Sequence, residues 1–296
     1  MNQRTVVAWD GTPESQGALD WAVLREAPGG GTVVIVRIVN DALLEAVESD
    51  AAEDLAAVAQ RELAEQAENV AIDAPAVHVG TEIMRGDPIE QLLQFTNPAT
   101  LLVLGTHDPA SSQPRFAWSL GARLITDSRS PLVIIPAGLS RNLAGRGVVV
   151  GVDGSPESVA ATAFAGSEAE RMRCQLTVVH TWREPVIDDA FGRNPAEPSE
   201  AWLEPSHHLI LDEAVAAVQA AQPSLVIVPL LQQGRASHVL EERGRTAALL
   251  VLGSRGYGPV RGPLMGSVST AILGSMPCPV VVTGPSYTAD RVPVLT

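Results

Sequence analysis

Two stretches of this sequence carry one pattern. TVVAWDGTPES at 5–15 and VVVGVDGSPES at 148–158 both run from β-branched residues into Asp-Gly-(Thr/Ser)-Pro-Glu-Ser. Self-similarity at long spacing restricts the chain to two copies of one folding unit. Asp10 and Asp153 lie 143 positions apart. Downstream the offset is 148, in LLVLGTHD (101–108) and LLVLGSRG (249–256), in Gly86 and Gly234, and in Pro131 and Pro279. The second copy therefore carries a net insertion of five residues, which falls in the Pro- and acid-rich stretch at 182–202. The repeat divides the 296 residues into a first domain at 1–138, a linker at 139–146, a second domain at 147–286 and a tail at 287–296. Two units near the usual domain size of roughly 150 residues fit that length.

Each copy reads the same way. A strand (4–9 or 148–152) leads to a helix with Thr12 or Ser155 as N-cap and Pro13 or Pro156 at the first helical position, where a missing N–H costs nothing. A second strand follows at 33–39 or 176–182. Helical spacing of apolar residues then predicts a helix over 43–67 in copy one and 206–221 in copy two. A short third strand, a helix after Gly86 or Gly234, a fourth strand (101–104 or 249–252), a last helix and a final strand (132–135 or 280–283) complete each unit. Continuous apolar strands alternating with helices indicate parallel strands covered on both faces. The expected fold is α/β: two tandem, doubly wound, Rossmann-like sandwiches of five strands each, with ligands at the carboxyl ends of the strands near a topological switch point.

Composition narrows the chemistry. The chain holds 20 Arg and no Lys, so Schiff-base chemistry and a lysine-dependent phosphate loop are excluded. A net charge of −14 with scattered arginines argues against nucleic acid and anionic membranes as partners. Hydrophobic residues make up 46% and aromatics 4%, so the cores must be aliphatic. Cys174 and Cys278 form no metal-spaced pair, and no metal-ligand set is assigned. With no apolar run of about 18 residues and no leader-like N-terminus, a reduced cytoplasmic location is expected.

The strongest local signal follows the fourth strand of copy two. GSRGYGPVRGPLMGSVS (253–269) spaces its glycines as Gly253, two residues, Gly256, nine residues, then Gly266-Ser267. Glycine lets backbone approach a ligand closely. Gly266-Ser267 should open the last helix, whose unsatisfied N–H groups and positive dipole end favour an anion. Ser267 and Ser269 add hydroxyl donors, and Arg255 or Arg261 adds charge. Asp153, ending the first strand, is a carboxylate able to accept bonds from an amino or hydroxyl group; its alternative role is an Asp-Gly turn.

These motifs resemble the universal stress protein family, over nearly the whole chain, and the arrangement is similar to its tandem-domain members. The resemblance implies the adenine nucleotide alpha hydrolase-like fold and ATP binding in the second domain, with Mg²⁺ held through the phosphates. It places Asp153 on the adenine side and Thr181 as a backbone contact to the base. Leu252 lies near the ribose, Gly253, Arg255 and Gly256 along ribose and phosphates, and Gly266, Ser267, Val268 and Ser269 on the phosphates. His180 reads as a structural strand-end residue, and the best-placed histidine for a pH effect. The implied function is a nucleotide-dependent stress-response regulator. No catalytic residue is assigned, and alternatives are a slow ATP hydrolase of the same fold or a nucleotide-free scaffold. The resemblance also implies pairing through the final strands, so that the two copies form an intrachain pseudo-dimer, with homodimerisation as a further expectation.

Copy one departs from the pattern. In GTHDPASSQPRFAWSLG (105–121), Gly105 and Ser119 are kept, but Asp108 replaces the second glycine and Trp118 the third. A carboxylate repels phosphates and an indole fills their space, so copy one is expected to bind triphosphate weakly or not at all, although Asp10 and Ile38 keep positions suited to a base. Asp188-Asp189 reads as a solvated acidic loop rather than a metal site.

Overall fold

The computed structural model describes residues 4–40, 49–106, 116–138, 146–183, 200–256, 265–284 and 287. The first repeat runs β1 (Arg4–Ala8), α1 (Pro13–Glu26), a 3₁₀ turn (Ala27–Gly29), β2 (Thr32–Val39), α2 (Ser49–Asp73), β3 (His78–Arg85), α3 (Pro88–Leu93), β4 (Thr100–Thr106), α4 (Phe116–Asp127) and β5 (Leu132–Pro136). The second runs β6 (Val148–Val152), α5 (Pro156–Arg171), β7 (Leu176–Trp182), α6 (Glu200–Ala221), β8 (Ile227–Gln233), α7 (Ala236–Gly244), β9 (Leu249–Gly253), α8 (Ser267–Ser275) and β10 (Val280–Thr283). The expected α/β fold with a mostly parallel sheet and alternating helices is therefore present. No helix among the described residues is long and apolar enough to cross a membrane.

The chain forms two compact units. One comprises Met1–Leu143, Pro263–Met265 and Pro279–Thr296, the other Ala144–Gly262 and Gly266–Cys278. In the first unit the strand order is β3-β2-β1-β4-β5, all parallel, and β10 joins the far side of β5 in antiparallel register, Val281 opposite Val133. In the second unit the order is β8-β7-β6-β9, again parallel. The last strand of the second repeat thus packs within the first unit, where the apolar edge of β5 takes it up. In both units the winding reverses beside the opening strand, between β1 and β4 and between β6 and β9, which puts the switch-point crevice at the ends of those strands.

Both helix starts obey the cap reading. Thr12 and Ser155 accept from the N–H of Ser15 and Ser158, with proline at the first helical position. The helix expected over 43–67 is instead seen to Asp73, because Val70 buries its side chain in the last turns. The helix expected from 206 begins at Glu200. The central strands are buried on both faces: Val6, Val7, Leu101–Leu104 and Leu132–Ile135 in one unit, Val148, Val150, Val178 and Leu249–Leu252 in the other, all at most 5% exposed. Burying each such aliphatic side chain contributes about 1.5–3 kcal/mol.

The first unit has a buried polar cluster of three residues where the second has the buried Glu168, aligned with Arg25 and paired with Arg171. Thr5 is fully buried, while Arg25 and Glu26 are each 7% exposed. The Thr5 hydroxyl and the Arg25 guanidinium both donate to Glu26 Oε1, and Arg25 Nη1 also donates to Thr5 Oγ1 over 3.0 Å. A Cβ on Gly31 would enter the Glu26 carboxylate, so glycine is required there. At the offset of 143 the second unit places Val148 and Ala169 opposite Thr5 and Glu26.

Burial also silences a thiol. Cys278 is 4% exposed, and burial pushes its pKa up to about 12; the half-buried Cys174 is raised for the same reason. Thiolate is the reactive form. A disulfide-exchange reagent at pH 8 should therefore titrate at most one thiol in the native protein and both in urea; two fast native thiols would contradict this packing.

Candidate functional site

At the end of β6, Gly154 turns the chain at φ +81°, a backbone conformation that favours glycine. Asp153 Oδ1 then accepts from Ser155 N (3.0 Å) and Ser155 Oγ (2.6 Å), so the carboxylate is clamped in an Asp-Gly turn. Ser155 Oγ in turn caps α5 by accepting from Ser158 N at 3.2 Å. Oδ1 is the carboxylate oxygen that serves the turn. The other, Oδ2, faces Gly256: a Cβ placed there would overlap it outright.

Opposite Asp153, β9 ends at Gly253, whose backbone O accepts from Ser269 Oγ at 2.7 Å. Gly266 N donates to Ser254 O at 2.7 Å. These two bonds close the base of the glycine loop and hold the first turn of α8 against the end of β9. A Cβ on Gly253 would stand 2.9 Å from the Glu157 backbone and side chain, so the first turn of α5 crowds the same spot. The α8 N-cap is Gly266 with no side-chain cap. Such a helix start favours an anion. Nearby, Ser254 is 2% exposed and its Oγ has no hydrogen-bond partner among the described residues. A buried hydroxyl left in that state costs about 1–3 kcal/mol.

Of the residues named from sequence, the structure therefore brings together Asp153, Gly253, Gly256, Gly266 and Ser269 by direct contact. Arg255, half-buried, bridges the two glycines in sequence, and its Cα stands 3.5 Å from a Cβ built on Gly266. Ser267 is exposed and Val268 half-buried in the first turn of α8. Thr181 stands one strand away; because Val152 pairs with His180, Thr181 is level with Asp153. Leu252 is 3% exposed and packs in the core beneath Gly151. Arg261 and Asp188-Asp189 lie outside the described residues. Ser155 is read from sequence as a helix cap only, and Ser254 not at all; a hydroxyl inside the Gly-Ser-Arg-Gly turn is the available signal for the second.

Beside this crevice, the buried His180 directs Nδ1 at Val152 O (2.7 Å) and Nε2 at His207 Nδ1 on α6 (2.9 Å). His207 stacks on Trp182 with ring centroids 5.8 Å apart. His180 thus has the structural strand-end place expected of it, with a partner no sequence signal announced.

The first unit builds the same frame differently. Asp10 Oδ1 accepts from Thr12 N (3.0 Å) and Thr12 Oγ1 (2.6 Å). Burial opposes its ionisation, but the bonds from Thr12 and Ser15 outweigh that and hold the carboxyl below the ordinary carboxylate range. Trp9 replaces Val152, and the Arg37 guanidinium lies over its ring at 5.2 Å while pairing with Glu62 of α2. Ile38 is half-buried at the end of β2. Gly105 is under tighter constraint than Gly253, since a Cβ there would enter the Glu14 backbone. Asp108 lies outside the described residues. The helix opens at Phe116, so Trp118 falls inside its first turn rather than at its mouth, and the helix start is one turn earlier than at Gly266-Ser267.

Comparison with known proteins gives one consistent result. A family model described as the universal stress protein family matches residues 1–136 and 146–284. A universal stress protein of Mycobacterium tuberculosis H37Rv is 28% identical over 302 residues, covering 95% of each chain. Another from the same organism is 30% identical over 217 residues, 72% of this chain and 70% of that one. The crystal structure of a universal stress protein from Archaeoglobus fulgidus DSM 4304 superposes with a TM-score of 0.72 at 18% identity, covering 96% of this chain and 99% of that one, a likeness of fold.

Proposed function

The chain belongs to the universal stress protein family, and on that premise we propose that its second unit binds ATP and that occupancy of this site is the regulatory signal. The observation that carries the reading is the closed base of the glycine loop. There the uncapped start of α8 is held at the end of β9 beside the buried, unpartnered hydroxyl of Ser254. A ligand rich in acceptor oxygens suits both features, whereas an apolar or cationic ligand suits neither.

ATP fits the residues present. Ser267, Val268 and Ser269 would hold the phosphates through backbone N–H groups and hydroxyls, and Arg255 would add charge. Gly253 and Gly256 keep the loop free of Cβ atoms, so that ribose and phosphates approach backbone directly. Asp153 and the backbone at Thr181 would face the base and sugar. Mg²⁺ would be held by the phosphates rather than by a protein cage, a common arrangement for this ion.

Two measurements test the reading. Heat-denatured protein, chromatographed for released nucleotide, should yield ATP or ADP, and stripped protein should bind Mg·ATP in calorimetry with a stoichiometry of one per chain. Absence of binding at millimolar Mg·ATP would overturn it. Asp153→Ala should weaken Mg·ATP binding by about tenfold, the worth of roughly one charge-assisted hydrogen bond. Retained full affinity would remove Asp153 from the site.

A further inference from the structure

The two units fasten their second strand, at equivalent strand positions, to the following long helix with opposite chemistry. In the first unit Arg37 of β2 pairs with Glu62 of α2. In the second, 143 positions on from Arg37, His180 of β7 pairs with His207 of α6. An arginine–carboxylate pair keeps its charges across the physiological range, and an imidazole pair does not.

The hydrogen bonds dictate the proton count. A carbonyl oxygen only accepts, so His180 Nδ1 carries hydrogen and donates to Val152 O. Neutral His180 then offers a lone pair at Nε2, and His207 must donate to it from Nδ1. One added proton fits without moving a ring, since it enters at His207 Nε2, and the cation lies against the Trp182 face. A second proton does not fit. It would set His180 Nε2–H against His207 Nδ1–H across 2.9 Å, two donors and two positive charges with no acceptor between them. The pair must then part.

Among the described side chains, the elements packed against β7 carry these remaining ionisable groups, Glu170 on α5 among them. On α5, Glu168 is paired with Arg171 and Glu157 stands in the first turn. On α7, Glu241 pairs with Arg245 just past the helix, while Arg243 donates to Gln232; His238 and Glu242 complete that helix. On α6 itself, His208, Asp212 and Glu213 are exposed. β8 and β6 contribute none, and Asp153 follows β6 engaged in its turn. Burial, and then His180, hold the His207 imidazole below its ordinary value of 6.5. A histidine depressed on folding binds more protons when unfolded, so its contribution is complete above 6.5 and declines as pH falls from there through the depressed value.

We infer that His180 and His207 form a proton-operated latch that holds α6 to β7 beside the crevice of the second unit, so that acidification releases the base side of the site and its nucleotide. This regulation rests on the proposed ATP site. His180 and His207 are positioning residues in it: His180 acts through Val152 O, the residue before Asp153, and through its neighbour Thr181.

The test follows the full chain from pH 7.5 to pH 5.0 with two readouts. Without ligand, Trp182 emission, isolated by difference against Trp182→Phe, should show a transition between pH 6.5 and pH 5.0, where the second proton parts the pair and the stack on His207 breaks. With Mg·ATP, affinity should fall by about tenfold over the same range, the loss expected when release takes up one proton over about one pH unit. His207→Ala should remove the Trp182 transition and flatten the affinity profile. H180R/H207E, which installs the pair used by the first unit, should restore tight binding and keep it flat. An acid transition in Trp182 that survives unchanged in both variants would overturn the latch. Failure of the wild type to bind Mg·ATP at pH 7.5 would instead overturn the proposed site and the affinity arm, while the unliganded transition would still decide whether the pair acts as a latch.

Discussion

Gly266→Trp is expected to lower affinity for Mg·ATP by at least about 100-fold, or roughly 2.7 kcal/mol, while the protein stays folded. The backbone of Gly266 sits at φ −62° and ψ 152°, a conformation open to every residue, so the substitution introduces no backbone strain. The difficulty is space. A Cβ alone would stand 3.3 Å from Ser254 O and 3.5 Å from Arg255 Cα, and an indole must then extend across the mouth of α8, where the phosphates are proposed to sit. Calorimetry measures the affinity directly. Thermal unfolding supplies the control: at a ligand concentration of 100 wild-type Kd the wild type should gain about 2.7 kcal/mol from ATP and the variant at most about 0.4 kcal/mol. Without ATP the two should agree within about 1 kcal/mol. Unchanged affinity in a folded variant would remove the start of α8 from the site. The first unit already carries tryptophan at the aligned position, Trp118, and there the helix opens a turn earlier.

The second large effect concerns stability and lies in the first unit. Glu26→Ala should destabilise it by about 3 kcal/mol, because removing one member of a buried ionic cluster leaves the others without their main compensation. Glu26 accepts from both Thr5 and Arg25, and all three residues are at most 7% exposed. At the aligned positions the second unit has Val148, Ala169 and Glu168, the last paired with Arg171. The triple substitution T5V/R25M/E26L, which replaces the cluster by apolar groups of similar volume, should recover most of the loss, because no buried polar group is then left unpaired. Urea unfolding of the three proteins reads this out. If Glu26→Ala costs less than about 1 kcal/mol, the cluster contributes little; if the triple variant is as unstable as the single one, the polar groups are needed for more than mutual compensation.

Much of the fold was legible because it depends on local rules. The pairs Thr12-Pro13 and Ser155-Pro156 announce helix starts through cap chemistry, and the apolar runs at 101–104 and 249–252 can only be strands covered on both faces. The glycine spacing at 253, 256 and 266 marks the loop: a Cβ would clash at 253 and 256 and would be tight at 266. Less legible was everything set by another element. Ser254 looks like any loop serine until its burial without a partner is seen. His207 gives no signal on its helix, since its meaning comes wholly from His180, 27 positions before it. Leu252 lies beneath Gly151, a neighbour set by the pairing of β6 with β9.

By itself, the sequence determined that the chain is two copies of one α/β unit and that only the second keeps an intact glycine loop, because repeats, caps and spacing are properties of contiguous residues. The tertiary structure decided what no contiguous stretch contains: that β10 packs on β5 within the first unit, that Asp153 faces Gly256, and that the strand-to-helix fastening is ionic in one unit and imidazole in the other. These depend on strand order and register, which bring together residues far apart in the chain, and their energies exist only once that register is formed.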